Sequence, residues 1–290
     1  MRVTQNSLWT MVQANLGSIN TRTRELEEQA VTGLAISRPS DAPELTAQLD
    51  QLSAGVADQA VYAKNAGQAT GILDTMDSAL ARGHDALTRC REIAIEMSNG
   101  TMTADERAAA ADEITSLRAT ILDVANSTYA GRYIFAGTAY DEAPFADDGS
   151  YSGSTDEPST RVGDNTWVST GRDGSAIFSD GVDILAALDD FATALSSDDD
   201  AGITAAIDNI DLGLDAMSSA RTEVGNDTNV ALDATELSES LGTELQTRVD
   251  DLAAADPTET YMKLAEMRNA YTTALQVAAS SKSNSLFDLL

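Results

Sequence analysis

The chain has 290 residues, 42% of them hydrophobic, so it can bury a sizeable core. Its formal charge of -29 opposes nucleic-acid binding, because recognition of phosphates needs a basic face. One cysteine, Cys90, excludes an intrachain disulfide, and one histidine, His84, removes any zinc site built on several histidines.

The charge is unevenly placed. Residues 1–40 hold four Arg against three Glu, and residues 262–290 hold Lys263, Arg268 and Lys282 against Glu266 and Asp288. Each end is thus +1, and residues 41–261 carry -31. An acidic body that faces water, with two near-neutral ends that pack against something else, points to assembly rather than catalysis.

The N-terminal segment has no cluster of positive charge followed by an apolar stretch, which predicts no cleaved secretory signal. No run approaches a membrane span, so no membrane partner is expected. Leu8, Val12, Leu16, Ile19, Thr23, Leu26, Ala30 and Gly33 then step by three and four, the spacing of a helix with one partner-facing seam. Pro39 and Pro43 interrupt it, and Asp41 with Glu44 can open the next helix as a capping box. From Leu49 through Leu52, Val56, Ala63, Leu73, Met76 and Leu80 the same spacing continues to Met97. One helix over 45–97 would be about 80 Å long, a rod. Cys90, among Leu87, Ile93, Ala94 and Met97, reads as a small buried hydrophobe.

Asn99-Gly100 can end that helix, and Thr103 with Glu106 forms a capping box for the next. Its stripe of Ile114, Leu117, Ile121 and Val124 should fold back antiparallel along the rod. The character changes at Tyr129. Nine of the fourteen aromatics lie within 129–191, and eight of the nineteen glycines within 131–181. Tyr133-Ile134-Phe135, Thr166-Trp167-Val168-Ser169 and Ala176-Ile177-Phe178 are β-prone runs between Gly-, Asp- and Ser-rich turns, which predicts a small β-rich insertion. Helical spacing returns at Ile184–Leu195 and Ile203–Leu214, then at Leu237–Leu252, and after Pro257 at Leu264, Met267, Tyr271, Leu275 and Ala278.

The fold class expected is mainly α: an elongated antiparallel helical bundle or coiled coil made by the N- and C-terminal regions, with a small β-rich central insertion. Catalytic chemistry finds little support. His84 sits on a polar helix face beside Asp85, where solvation explains it. Asp147-Asp148-Gly149 and Asp198-Asp199-Asp200 miss the spacing of a calcium loop and read as solvated acidic surface. No phosphate-binding glycine loop and no H-E-x-x-H motif is present. No enzyme, no cofactor and no metal are expected.

Several segments resemble a known family. Thr32-Gly33-Leu34-Ala35-Ile36-Ser37-Arg38-Pro39-Ser40-Asp41-Ala42-Pro43 resembles the stretch after the first helix of the flagellin superfamily, and Asn99 to Arg107 its turn between core helices. Ala125-Asn126-Ser127-Thr128-Tyr129-Ala130-Gly131-Arg132-Tyr133-Ile134-Phe135-Ala136-Gly137, followed by Ala143-Pro144-Phe145, resembles the flagellar hook-associated protein 3 family, as does the ending Ser285-Leu286-Phe287-Asp288-Leu289-Leu290. The resemblance covers the first 145 residues and the last 40 or so.

That resemblance implies a structural protein at the bacterial hook–filament junction, extracellular and exported without a cleaved signal by the flagellar type III apparatus, with an export chaperone a further partner. It implies a ring of eleven copies between the first hook-associated protein and flagellin. It also implies three domains: 1–42 with 258–290 as an inner helical domain, 43–132 with 200–257 as a helical rod, and 133–199 as an outer insertion. The assembly surface expected is Leu8, Val12, Leu16, Ile19, Leu26, Leu275, Leu286, Phe287, Leu289 and Leu290. A filament flagellin, an enzyme carried on a flagellin-like frame and a free coiled-coil adaptor are the competing readings. Helices this rich in Ala, Ser and Thr are marginal alone, so the ends are expected to order on assembly.

Overall fold

A computed structural model describes the backbone of residues 5–36 and 42–287, with side chains for 10–36 and 42–279. Among these residues the chain forms α1 (Gln5–Thr32), α2 (Pro43–Met97), α3 (Ala104–Ala125), α4 (Gly174–Phe178), α5 (Ile184–Ser196), α6 (Asp200–Ala253) and α7 (Pro257–Phe287). Two short antiparallel ladders complete it, β1 (Thr128–Tyr129) with β2 (Arg132–Tyr133) and β3 (Ser159–Arg161) with β4 (Trp167–Ser169). The mainly α class with a small β-containing centre is therefore what the chain adopts. Two compact units are formed, residues 1–57 with 242–290 and residues 58–241, and α2 and α6 contribute to both.

In the 58–241 unit the helices pair as their stripes require. Arg91 meets Asp211 and Arg221 meets Asp77, so α2 and α6 run antiparallel. Met217 of α6 packs over Gly83, and Leu87 of α2 packs over Gly213. The fold-back of α3 along α2 is set by Val124 beside Gly83 and by the Arg89–Glu113 pair, 2.8 Å. The capping box opens α3 as expected: Thr103 Oγ1 accepts the Glu106 N–H, and Glu106 Oε2 accepts the Thr103 N–H at 2.8 Å. Cys90 is fully buried in the core with Leu73, Met76, Leu80 and Leu87.

β1 and β2 are joined by Ala130 and Gly131, both at positive φ (49° and 81°), the backbone of a two-residue turn that matches strand twist. Asn126 caps α3, and its side chain then brackets the backbone of Phe145, accepting the N–H at 3.0 Å and donating to the carbonyl at 2.9 Å. This fixes Phe145 against Phe178 and Tyr151, with Phe135 edge-on to Phe178. These aromatics, α5 and the helices share one continuous core.

The β-prone reading of Ala176-Ile177-Phe178 is corrected. The segment is helix α4, because Asp173 Oδ1 accepts the Ser175 N–H as an N-cap and turns Ile177 and Phe178 into the core. Of Tyr133-Ile134-Phe135 only Tyr133 is in a strand. The Asp41–Glu44 capping box lies outside the described residues.

Candidate assembly interface

The unit made by 1–57 and 242–290 holds the residues expected to act in assembly. α1 and α7 pack together, and their antiparallel sense is set by the Glu27–Arg268 pair, 3.0 Å, and by Asn20 and Thr23 facing Tyr271 and Thr272 across a shallow groove. Below them Gly55 packs on Leu245, joining α2 to α6 within the same unit.

The burial in this unit is thin. Among the described residues its buried apolar side chains are Leu26, Leu264, Ala253 and Ala278. Met11 (63% exposed), Val31 (87%), Tyr261 (60%), Met262, Tyr271 and Leu275 (44%) remain open to solvent. Single exposed apolar side chains are ordinary, but a unit that exposes more large ones than it buries has half a core. The 58–241 unit differs, with Leu73, Met76, Leu80, Leu87, Ile114 and Ile121 all at zero exposure.

Of the residues expected at the interface, Leu26 is buried within the unit at 6% exposure, whereas Leu275 is open. Val12, Leu16 and Ile19 are half-buried along α1. Leu8, Leu286 and Phe287 lie on the backbones of α1 and α7, but their side chains are outside the described residues, as are Leu289 and Leu290 altogether.

Sequence reasoning missed a clasp where the two helices leave the rest of the unit. The Ala35 N–H donates to Ala253 O (2.7 Å) and the Ala255 N–H to Gly33 O (2.8 Å), closing an antiparallel bridge between Leu34 and Ala254. Gln29 Nε2 adds a donor to Ala35 O at 3.0 Å. Gly33 turns the chain at φ 73° and Pro257 starts α7, so the two breaks are visible in the sequence but their pairing is not.

The Asp198-Asp199-Asp200 cluster serves helix ends, whereas Asp148 lies in a loop. Asp198 and Asp200 both pair with Arg107, whose side chain is only 4% exposed, and Asp199 Oδ1 accepts the Ala201 N–H. Asp148 accepts the Ser150 hydroxyl, which helps hold its carboxyl below the usual range. No helix among the described residues is long and apolar enough to cross a membrane.

Residues 3–140 match the bacterial flagellin N-terminal helical region. The chain is 33% identical over 173 residues to flagellar hook-associated protein 3 of Escherichia coli, covering 58% of this chain and 55% of that protein. To flagellar hook-associated protein 3 of Salmonella typhimurium it is 29% identical over 180 residues, 61% of this chain and 57% of that one. It thus spans little more than half the length of these curated relatives. In fold it is similar to a putative flagellar hook-associated protein of Vibrio parahaemolyticus, with a TM-score of 0.68 at 20% identity over 74% of this chain and 100% of that one. Xanthomonas campestris FlgL gives 0.63 at 20% identity over 69% and 99%.

Proposed function

We propose that this chain is a structural protein of the bacterial flagellum that forms the junction between hook and filament. The observation that carries the reading is the contrast between the two units: one has a closed core, and the other pairs α1 with α7 while leaving Met11, Val31, Tyr261 and Leu275 open. Further copies would cover those side chains, and full burial of each is worth about 1.5–3 kcal/mol. The likeness to flagellar hook-associated protein 3 of two bacteria supports the place of assembly.

In this reading copies of the chain form a ring, eleven by family resemblance, that meets the first hook-associated protein on one side and flagellin on the other. Leu8, Val12, Leu16, Ile19, Leu26, Leu275, Leu286, Phe287, Leu289 and Leu290 form the assembly surface. Residues 1–42 with 258–290 act as the inner domain, 43–132 with 200–257 as the rod and 133–199 as the outer domain. The chain is exported through the flagellar type III apparatus without a cleaved signal, with a chaperone on that route, and performs no catalysis. The -31 carried by residues 41–261 keeps free copies apart before their ends engage.

Deleting the coding region tests this. Cells should keep hooks, lack filaments and shed flagellin into the medium, and normal filaments would overturn the reading.

A further inference from the structure

Packing specifies poorly how far α1 is slid along α7. The less exposed side of α1 carries Val12, Ile19 and Leu26 one heptad apart, so a shift by one heptad exchanges apolar side chains for apolar side chains. Large buried side chains are few, Leu26 on α1 and Leu264 on α7 among the described residues. The Glu27–Arg268 pair is exposed on both sides, and exposed pairs contribute little.

The clasp is specific by contrast. Its two backbone bonds, Ala35 to Ala253 and Ala255 to Gly33, are short and directional, and neither survives a slip of even one residue without a new partner. Gln29, in the last turns of α1, ties the helix itself to the clasp through Ala35 O, and Thr32 Oγ1 accepts the Leu34 N–H at 3.3 Å. Gly33 supplies the positive φ that brings its carbonyl round to Ala255.

We infer that the Gly33–Ala35/Ala253–Ala255 clasp is a register lock: it fixes which residues of α1 face which residues of α7, and Gln29 is its positioning residue. A single register gives every copy the same pattern of open apolar side chains, which repeated packing requires. The lock belongs to the free chain and does not depend on the flagellar reading.

Cysteine cross-linking of the full chain tests it, since buried Cys90 stays out of the reaction. Thr23→Cys with Thr272→Cys reports the observed register, and Thr23→Cys with Ala265→Cys or Ala279→Cys reports a slip of one heptad. A short bismaleimide should join the first pair and leave the slipped pairs near background. Ala35→Pro and Ala255→Pro each remove one clasp donor, and each should raise the slipped yield relative to the in-register yield about five-fold, the factor one backbone hydrogen bond carries. Gln29→Ala, which leaves both breaks intact, should act in the same direction. Unchanged protection of the α2–α3 core amides confirms that the variants fold. Slipped pairs as frequent as in-register pairs in the parent, or a pattern that none of the three variants alters, would overturn the lock.

Discussion

Leu26 and Leu275 lie in the same helix pair yet should behave in opposite ways. Leu26 is 6% exposed, so Leu26→Ala removes packing that already exists in the single chain. Buried Leu→Ala changes cost about 2–5 kcal/mol, and a two-helix site that can collapse falls near the lower end. A loss of about 2 kcal/mol corresponds to a roughly 30-fold larger open population of the pair. Leu275 is 44% exposed, so only about half its side chain is at stake in the free chain. At about 0.8 kcal/mol per buried methylene-sized group, Leu275→Ala should cost about 1 kcal/mol, or about five-fold. Hydrogen exchange of the α1 and α7 amides in the full chain reads both effects, up to complete loss of protection. In the assembled form the order should close up, because the open half of Leu275 becomes covered and its variant loses about a further 1 kcal/mol per copy. If Leu275→Ala costs the free chain more than Leu26→Ala, or costs the assembly no more than the free chain, the half-core argument is refuted.

Other outcomes follow from local geometry. A Cβ on Gly137, at φ 58°, would meet Ser154 O at 2.1 Å and Asp156 O at 2.8 Å, so Gly137→Ala should lower stability by about 2 kcal/mol or more in a denaturant titration. Gly131→Ala meets nothing within 4 Å and should cost only the strain of positive φ, about 1 kcal/mol. Thr103→Ala should cost about 1 kcal/mol through the lost cap. Glu106 is held below its usual pKa of 4.5 by the Thr103 N–H and hydroxyl, so the cap's contribution is in place above that value. The difference between Thr103→Ala and the parent should shrink as pH falls through the lowered folded value, which thermal melts from pH 7 to 3 will show. Burial pushes the Cys90 thiol up to about 12 from 9.0, so the folded state favours the neutral form. Stability should fall as pH rises above 9.0, and iodoacetamide should label Cys90 only on unfolding.

The long helices were legible because their periods are long and their boundaries chemical. Thr103 with Glu106 and Pro257 mark starts that the structure keeps. Ala176-Ile177-Phe178 was misread because three apolar residues carry no period, and the deciding group, Asp173, lies outside the run. The bracket from Asn126 to Phe145 and the two aspartates on Arg107 join residues far apart in sequence, which no local pattern reports. On α1 the less exposed stripe from Val12 to Leu26 could be read from spacing. Which of its residues the single chain already buries could not, since Leu26 and Leu275 follow the same apolar repeat and differ only in what packs on them.

The central claim, that the open side chains of the α1–α7 unit are covered by other copies at the hook–filament junction, is tested most directly by immunogold labelling of intact flagella with antibody raised against residues 133–199. Gold confined to one band between hook and filament, lost in the deletion strain and restored by the wild-type chain, is the predicted result. Label running along the whole filament would instead make this chain a filament subunit, and absence of label from purified flagella would contradict the account.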